Sequence, residues 1–371
     1  MLGLKAVLYA LCASTHFALG LGAFSITSKN NMAVYYGQGY NQQPLNVYCQ
    51  DPAIDVIILS FVNLFPENAN GYPGLDLGNQ CYGDTYPGPG YNGVNNASAN
   101  ALHKCPNIQR DLNYCRKVSP DKKFILSLGG GTIDYQLTGK NNGIKLATQL
   151  FYIFGPQQAN FIASGIPRPF DFNGAEFSVD GFDLDIEHPS NDNSAGYIAL
   201  VKELKRLFGT NKSKTFYLTA SPACYYPDDN NESMLSNVAF DMLFIQFYGS
   251  LPCSSARWAA ENPRYKVGGP VAYAGFTFDQ WTSWLSGLPS QNARLFIGLP
   301  GAKQDADPGY AIPVSSASNL ANAYYCRPNF GGISIWEATG ATASVNGGKN
   351  YYQNLKAALL SIFQHDEMCL L

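Results

Sequence analysis

The chain has 371 residues, enough for one large domain or two ordinary ones, and 46% apolar content with 13% aromatic residues supports a sizeable core. That composition excludes global disorder, and a formal net charge of −3 leaves no basic bias toward a phosphate backbone. Only 14% of residues are charged, against 24 tyrosines and 22 phenylalanines, a balance suited to a neutral polymer as partner.

The first residues, "MLGLKAVLYALCASTHFALGLGA", place Lys5 ahead of an apolar stretch and end in small residues from Ala18 to Ala23. This is the layout of a secretory leader, too short for a spanning helix. We expect a leader over 1–22, cleaved between Gly20 and Ala23, and a single domain over 23–371. No later stretch is apolar and long enough to cross a bilayer, and the final "QHDEMCLL" carries no lipid-anchor signal. The product is therefore expected outside the cell or in its wall, with no membrane or nucleic acid as partner, and as a monomer.

Of nine cysteines, Cys12 leaves with the leader, and the even remainder favours disulfides in a secreted chain. A zinc site on His103, Cys105 and Cys115 is the rival, but it lacks a short-spaced Cys pair. Sequons at Asn96, Asn211 and Asn231 are compatible with the secretory route.

Short apolar, β-rich runs follow in order: Met32–Tyr36, Val56–Val62, Phe124–Leu128, Phe182–Ile186, Phe216–Ala220, Met242–Phe247, Leu295–Gly298 and Ile333–Trp336. Most are too continuously apolar to be half-exposed, as parallel strands covered on both faces are. Helical patterns over Ile144–Phe154, Gly196–Phe208 and Tyr351–Gln364 lie among them. Eight such strands without a linker predict an α/β fold, one (β/α)8 TIM barrel. Between the second and third strands runs a Gly/Pro/Asn/Tyr-rich loop from Asn63, most of it flanked by Cys81 and Cys105. A disulfide brace suits so long a loop. Its Tyr72, Tyr82, Tyr86 and Tyr91 either pack the loop or extend a binding surface; packing is the expectation.

The fourth run, "VDGFDLDIEH", holds Asp180, Asp183, Asp185 and Glu187. In a strand Asp183, Asp185 and Glu187 share one face and Phe182, Leu184 and Ile186 the other. The acids therefore point into the barrel, with Glu187 at the C-terminal end where barrel active sites lie. Three stacked acids cannot all ionise, so at least one pKa rises and protons are shared; Glu187 beside Asp185 suits a general acid. A solvated acidic turn or a calcium loop is the alternative. The alternating apolar residues and the absence of a glycine where a calcium loop needs one oppose it.

Asp180-x-x-Asp183-x-Asp185-x-Glu187 resembles the signature of glycoside hydrolase family 18, the chitinases, and Ser127-x-Gly129-Gly130 in "FILSLGGG" resembles that family's strand-three motif. "YYGQG", "SFVNLF", "LTASPACYYPD", "FIQFYGS", "IGLPGA" and "GGISIWE" narrow the likeness to the class III, hevamine-type chitinases of plants and fungi, across essentially the whole mature chain. The resemblance implies a secreted retaining endo-chitinase acting on chitin or chitooligosaccharides. In it Glu187 protonates the glycosidic oxygen and the substrate's own acetamido oxygen attacks the anomeric carbon. No metal or organic cofactor is implied. Asp185 would orient the acetamido group, Asp183 modulate the shared proton and Tyr248 hydrogen-bond the acetamido oxygen. Trp336 would be the platform under the sugar, and Gln246, Asn63, Tyr35 and Gln38 further polar contacts.

Each role has a plainer counterpart. Tyr248 and Trp336 could be core aromatics, and Gln246 and Asn63 could satisfy backbone groups. Ser127, Gly129, Gly130 and Asp180 are expected to be structural, the small residues leaving room for the acids. The resemblance also implies disulfides Cys49–Cys115, Cys81–Cys105 and Cys224–Cys253; pairing Cys326 with Cys369 completes the set. Departures from the class III pattern are Tyr36 for Trp, Gly39 for Asn and Gly249 for Asn, which bear on subsite contacts, and the long loop, which exceeds the compact plant form. An endo-β-N-acetylglucosaminidase acting on N-glycans and a catalytically weak or inactive chitin-binding lectin are the other functions compatible with such a barrel. No appended module follows the last helix, so soluble or nascent chains are expected to be preferred over crystalline chitin.

Overall fold

The computed structural model describes residues 23–249, 251–272, 275–364 and 369; the expected leader lies outside them. Strands β1 (Asn31–Tyr36), β2 (Val56–Val62), β3 (Lys123–Gly130), β4 (Gly181–Ile186), β5 (Tyr217–Ala220), β6 (Met242–Gln246), β7 (Arg294–Pro300) and β8 (Phe330–Trp336) follow the expected runs. Each pairs in parallel with the next and β8 closes on β1, giving the predicted (β/α)8 barrel. Two of the three largest boundary differences fall at glycines; the third is β7, which runs on to Pro300. β3 runs on through Gly129 and Gly130, and β8 starts at Phe330, ahead of Gly331 and Gly332. Glycine carries no side chain to report which face it occupies, so the alternation is silent there.

Alternation along the strands sorts their side chains into two separate apolar layers. Val34, Leu59, Leu126, Leu184, Ile245 and Ile335 face outward and pack with the helices. Ala33, Val56, Ile58, Ile125, Met242, Phe244 and Phe296 face inward and fill the barrel below the acids, with Phe24 and Ile26 packed against them. The helices Lys140–Phe154 and Ala195–Phe208 begin with polar or small residues before the expected apolar pattern. Tyr351–Phe363 starts at a capping box, in which Asn350 and Gln353 satisfy each other's backbone N–H groups. No described helix is long and apolar enough to cross a membrane.

All four expected disulfides are present: Cys49–Cys115, Cys81–Cys105, Cys224–Cys253 and Cys326–Cys369. They consume both thiols of the rival zinc reading. The long loop after β2 is held by buried Asn70. Its Nδ2 reaches Asn95 Oδ1 (3.0 Å) and Asn100 Oδ1 (2.7 Å), and its Oδ1 accepts from the Asn96 N–H (2.8 Å). Tyr72 and Tyr86 pack on the outer core, and the Tyr91 hydroxyl donates to Asn142; Tyr82, at 67% exposure, is the exception to the packing expectation. The sequon at Asn231 is corrected as well. That side chain is fully buried and donates to Ile186 O and Asp228 Oδ2, which leaves no room for a glycan.

Candidate active site

Asp183 and Asp185 point into the barrel and are buried, and Glu187 stands one residue past the end of β4, exposed at the C-terminal mouth. Register decides what surrounds Asp183. Ser127 on β3 and Thr219 on β5 are its paired neighbours. Their hydroxyls lie 2.7 and 2.6 Å from its carboxylate, and Tyr35 and Ser221 each add a hydroxyl at 3.2 Å. Burial pushes the Asp183 carboxyl up, and these hydroxyls pull it part of the way back. Asp185 is driven well above the ordinary carboxylate range by burial and then by the charges of Glu187 and Asp183. At least one acid in the ladder is thus held protonated beyond its usual range, as like charges in a confined space require.

Gln246, at the end of β6, joins the upper two acids. Its Nε2 lies 3.0 Å from Asp185 Oδ1, 3.1 Å from Glu187 Oε1 and 3.1 Å from Ser221 O. The side chain expected as a substrate contact is already engaged with both carboxyls. The Glu187 backbone N–H donates to Tyr135 Oη (3.1 Å), and that hydroxyl donates to Gly130 O (3.0 Å). Tyr135 is buried, and its ring lies against His188.

Three of these contributors, Tyr135, Thr219 and Ser221, escaped sequence reasoning. Thr219 and Ser221 carried a usable signal, since two hydroxyl residues at i and i+2 mark one polar face of an otherwise apolar strand. Tyr135 sits in a loop and carried none. Gly129 and Gly130 are closed in by a neighbouring backbone and a ring. A Cβ on Gly129 would lie 2.2 Å from the backbone oxygen of Asp185, and one on Gly130 would meet the Phe61 ring at 2.9 Å. They make room for β4's backbone and for Phe61 rather than for the acid side chains.

Trp336, at the end of β8, is half-buried. It stacks on Phe61 (ring centroids 5.8 Å apart, 28° between planes) and meets Tyr35 edge-on at 5.7 Å. Tyr35 is only 4% exposed with its hydroxyl on Asp183, so it stands beneath the cleft and does not line it. Tyr248 lies two residues past Gln246. Burial and the charges of Asp185, Glu187, Asp305 and Asp183 push its hydroxyl far up, which keeps it a neutral hydrogen-bond donor. Gln38 is exposed at the rim, its amide on Ser60 O (2.9 Å), and Asn63 is half-buried just past β2.

Asp180 sits at the opposite end of β4, paired with Arg116 (2.9 Å) and Lys214 (3.0 Å). Tyr36 faces the outer layer, its ring on Tyr48 and its hydroxyl on Gln43 O, so that departure from the class III pattern does not reach the cleft. One barrel mouth thus gathers an exposed carboxyl, a buried proton-holding carboxyl beside it, a neutral donor and an indole face. This is equipment for protonating a leaving oxygen above a stacked ring.

The chain is similar to known proteins in sequence and in fold. Endochitinase 2 of Coccidioides immitis is 35% identical over 364 residues, which is 97% of this chain and 38% of that protein's own length. Among solved structures, a chitinase from Ipomoea carnea is similar at 26% identity and a TM-score of 0.61, covering 88% of this chain and 99% of that one. A tamarind chitinase-like lectin shares the fold at 21% identity and a TM-score of 0.54, covering 89% and 98%. The family model described as Glycosyl hydrolases family 18 matches residues 31–311, the stretch that carries β1 to β7 and the whole acid ladder. The chain belongs to glycosyl hydrolase family 18.

Proposed function

We propose that this chain is a secreted, retaining endo-chitinase that cleaves β-1,4-linked N-acetylglucosamine with the substrate's acetamido group as nucleophile. The observation that carries the reading is the pair of Asp185 and Glu187 on one Gln246 amide nitrogen, with Asp185 held well above the ordinary carboxylate range. Glu187 gives its proton to the glycosidic oxygen as the C1–O bond breaks. The acetamido oxygen closes on C1 to form an oxazolinium ion, oriented by Asp185 on its N–H and Tyr248 on its oxygen. Glu187, now a carboxylate, takes a proton from the water that opens the oxazolinium, so configuration at C1 is retained and the enzyme is restored. Trp336 carries the sugar face and Asp183 tunes the ladder from below. The leader over 1–22 would direct export, with glycans accommodated at Asn96, which is exposed, and Asn211, which is half-buried.

Hydrolysis of N-acetylchitohexaose by the exported protein, beside Glu187→Gln, tests this. Wild type should release products first as the β-anomer. The variant should lose about a hundred- to ten-thousand-fold in rate while still binding the oligosaccharide. If both proteins bind and neither cuts, a lectin with the same barrel is the correct reading. Cleavage confined to N-glycan cores would make it an endo-β-N-acetylglucosaminidase.

A further inference from the structure

The loop after β5 presents two neighbouring tyrosines, Tyr225 and Tyr226, at 39% and 43% exposure, on a frame immobilised from both sides. Upstream, Gln246 donates its backbone N–H to Pro222 O (2.8 Å) and its side chain to Ser221 O (3.1 Å), and Ala223 bridges to Gln246. Cys224 is fully buried in its disulfide to Cys253, and its carbonyl accepts from Trp281 Nε1 (3.1 Å) and from the Thr277 hydroxyl. Downstream, buried Asp228 accepts from the Ala223 N–H (2.9 Å) and Asn231 Nδ2 (2.8 Å). Asn231 Nδ2 in turn donates to Ile186 O (3.0 Å). One end of the loop is tied to the side chain that holds Glu187, and the other to the residue just before Glu187. The backbone that carries the two rings is thus anchored to the surroundings of the exposed acid, and a frame held this way loses little further freedom on binding.

Their side of the cleft follows from the barrel. Trp336 ends β8 and Glu187 follows β4, on opposite sides of an eight-strand ring. A sugar on Trp336 whose glycosidic oxygen is reached by Glu187 sends its leaving group past the β4 and β5 loops. We propose that Tyr225 and Tyr226 form a leaving-group subsite that stacks the C–H face of an N-acetylglucosamine ring, an inference that rests on the proposed function and extends it. A subsite there also holds an acceptor in place. A sugar hydroxyl can then replace water, its oxygen bonding to C1 as the oxazolinium opens and its proton passing to the Glu187 carboxylate.

The test compares wild type with Tyr225→Ala/Tyr226→Ala on N-acetylchitohexaose and on an aryl N-acetylchitotrioside, which places no sugar beyond the scissile bond. The double variant should lose about tenfold more kcat/KM on the hexamer than on the aryl substrate. Its ratio of transglycosylation to hydrolysis should fall, and Tyr225→Trp should keep both properties. Equal losses on the two substrates, or no loss on either, would overturn the subsite. If wild type leaves the hexamer uncut, the hydrolase reading fails, and calorimetry with the hexamer then decides the subsite separately. Weaker binding on adding the tyrosine changes to Glu187→Gln upholds it, and unchanged binding overturns it.

Discussion

Nε2 of Gln246 stands 3.1 Å from Oε1 of Glu187, so the exposed acid is tethered to β6 by a neutral amide and not by a cation. The distinction matters for the proton. A lysine or arginine in that place would pull the neighbouring carboxyls down, whereas an amide orients them at a smaller electrostatic cost to the protonated form. Gln246→Ala should lower kcat/KM on chitooligosaccharides by roughly ten- to a hundredfold, the weight of a hydrogen bond to a charged group. Because the amide also draws Asp185 down, its removal should move the limb of the pH–rate profile that reports Asp185 to higher pH. A profile unchanged in both height and position would refute this role.

Asp183 should act on the same limb in the opposite sense. Its charge helps to raise Asp185, so Asp183→Asn should shift the limb to lower pH. Asp183→Ala removes the acceptor from four hydroxyls and opens a buried cavity, at about 2–4 kcal/mol of stability. Denaturant unfolding of the two variants separates these effects. An Asp183→Ala midpoint matching wild type would show that the hydroxyls find other partners.

What the sequence disclosed depended on whether a side chain's surroundings came from its own strand. The acid ladder was legible because alternation along β4 alone decides that Asp183 and Asp185 point inward. The barrel followed from eight apolar runs in order. The hydroxyl cradle of Asp183 needed the lateral register of β3 against β4 and of β4 against β5, which pairs Ser127 and Thr219 with it and is written in no single segment. Tyr135 reaches Glu187 from a loop, where no periodicity reports direction. Asn231 matched a glycosylation pattern that is local, while its burial under Ile186 is set by the packing of two elements.

Asp305, in the loop after β7, has a carboxyl raised to about 7 by burial and by the charge of Glu337, and its Oδ2 is buried without a hydrogen-bond partner. An unfolded aspartate titrates near 3.9. Between about pH 4 and pH 7 the folded protein therefore binds more protons than the unfolded chain, and stability falls as pH rises through that window. Asp305→Asn removes this titration. Its melting temperature should gain on wild type between pH 5 and pH 8, and a constant gap across that range would rule the account out.

Gly39 and Gly249 both stand where class III chitinases carry Asn, yet the structure separates them. A Cβ on Gly39 would lie 2.0 Å from Thr339 Oγ1 and 2.6 Å from Glu337 Oε2. Glu337 is not free to yield, because its carboxylate caps the helix Ala338–Ala343 through the N–H groups of Thr339 (2.8 Å) and Gly340 (2.7 Å). Gly39→Asn should therefore cost about 2–4 kcal/mol through overpacking and the lost cap. It should also reduce activity, since Glu337 directly follows Trp336. Gly249 has nothing within 4 Å of its Cβ position and a φ of +82°, a conformation that Asn tolerates better than most residues. Gly249→Asn should cost about 1 kcal/mol. Unfolding midpoints measured side by side decide the matter. If Gly39→Asn proves as stable as wild type, the Glu337 cap moves aside easily, and its packing against Gly39 is not what excludes a side chain there.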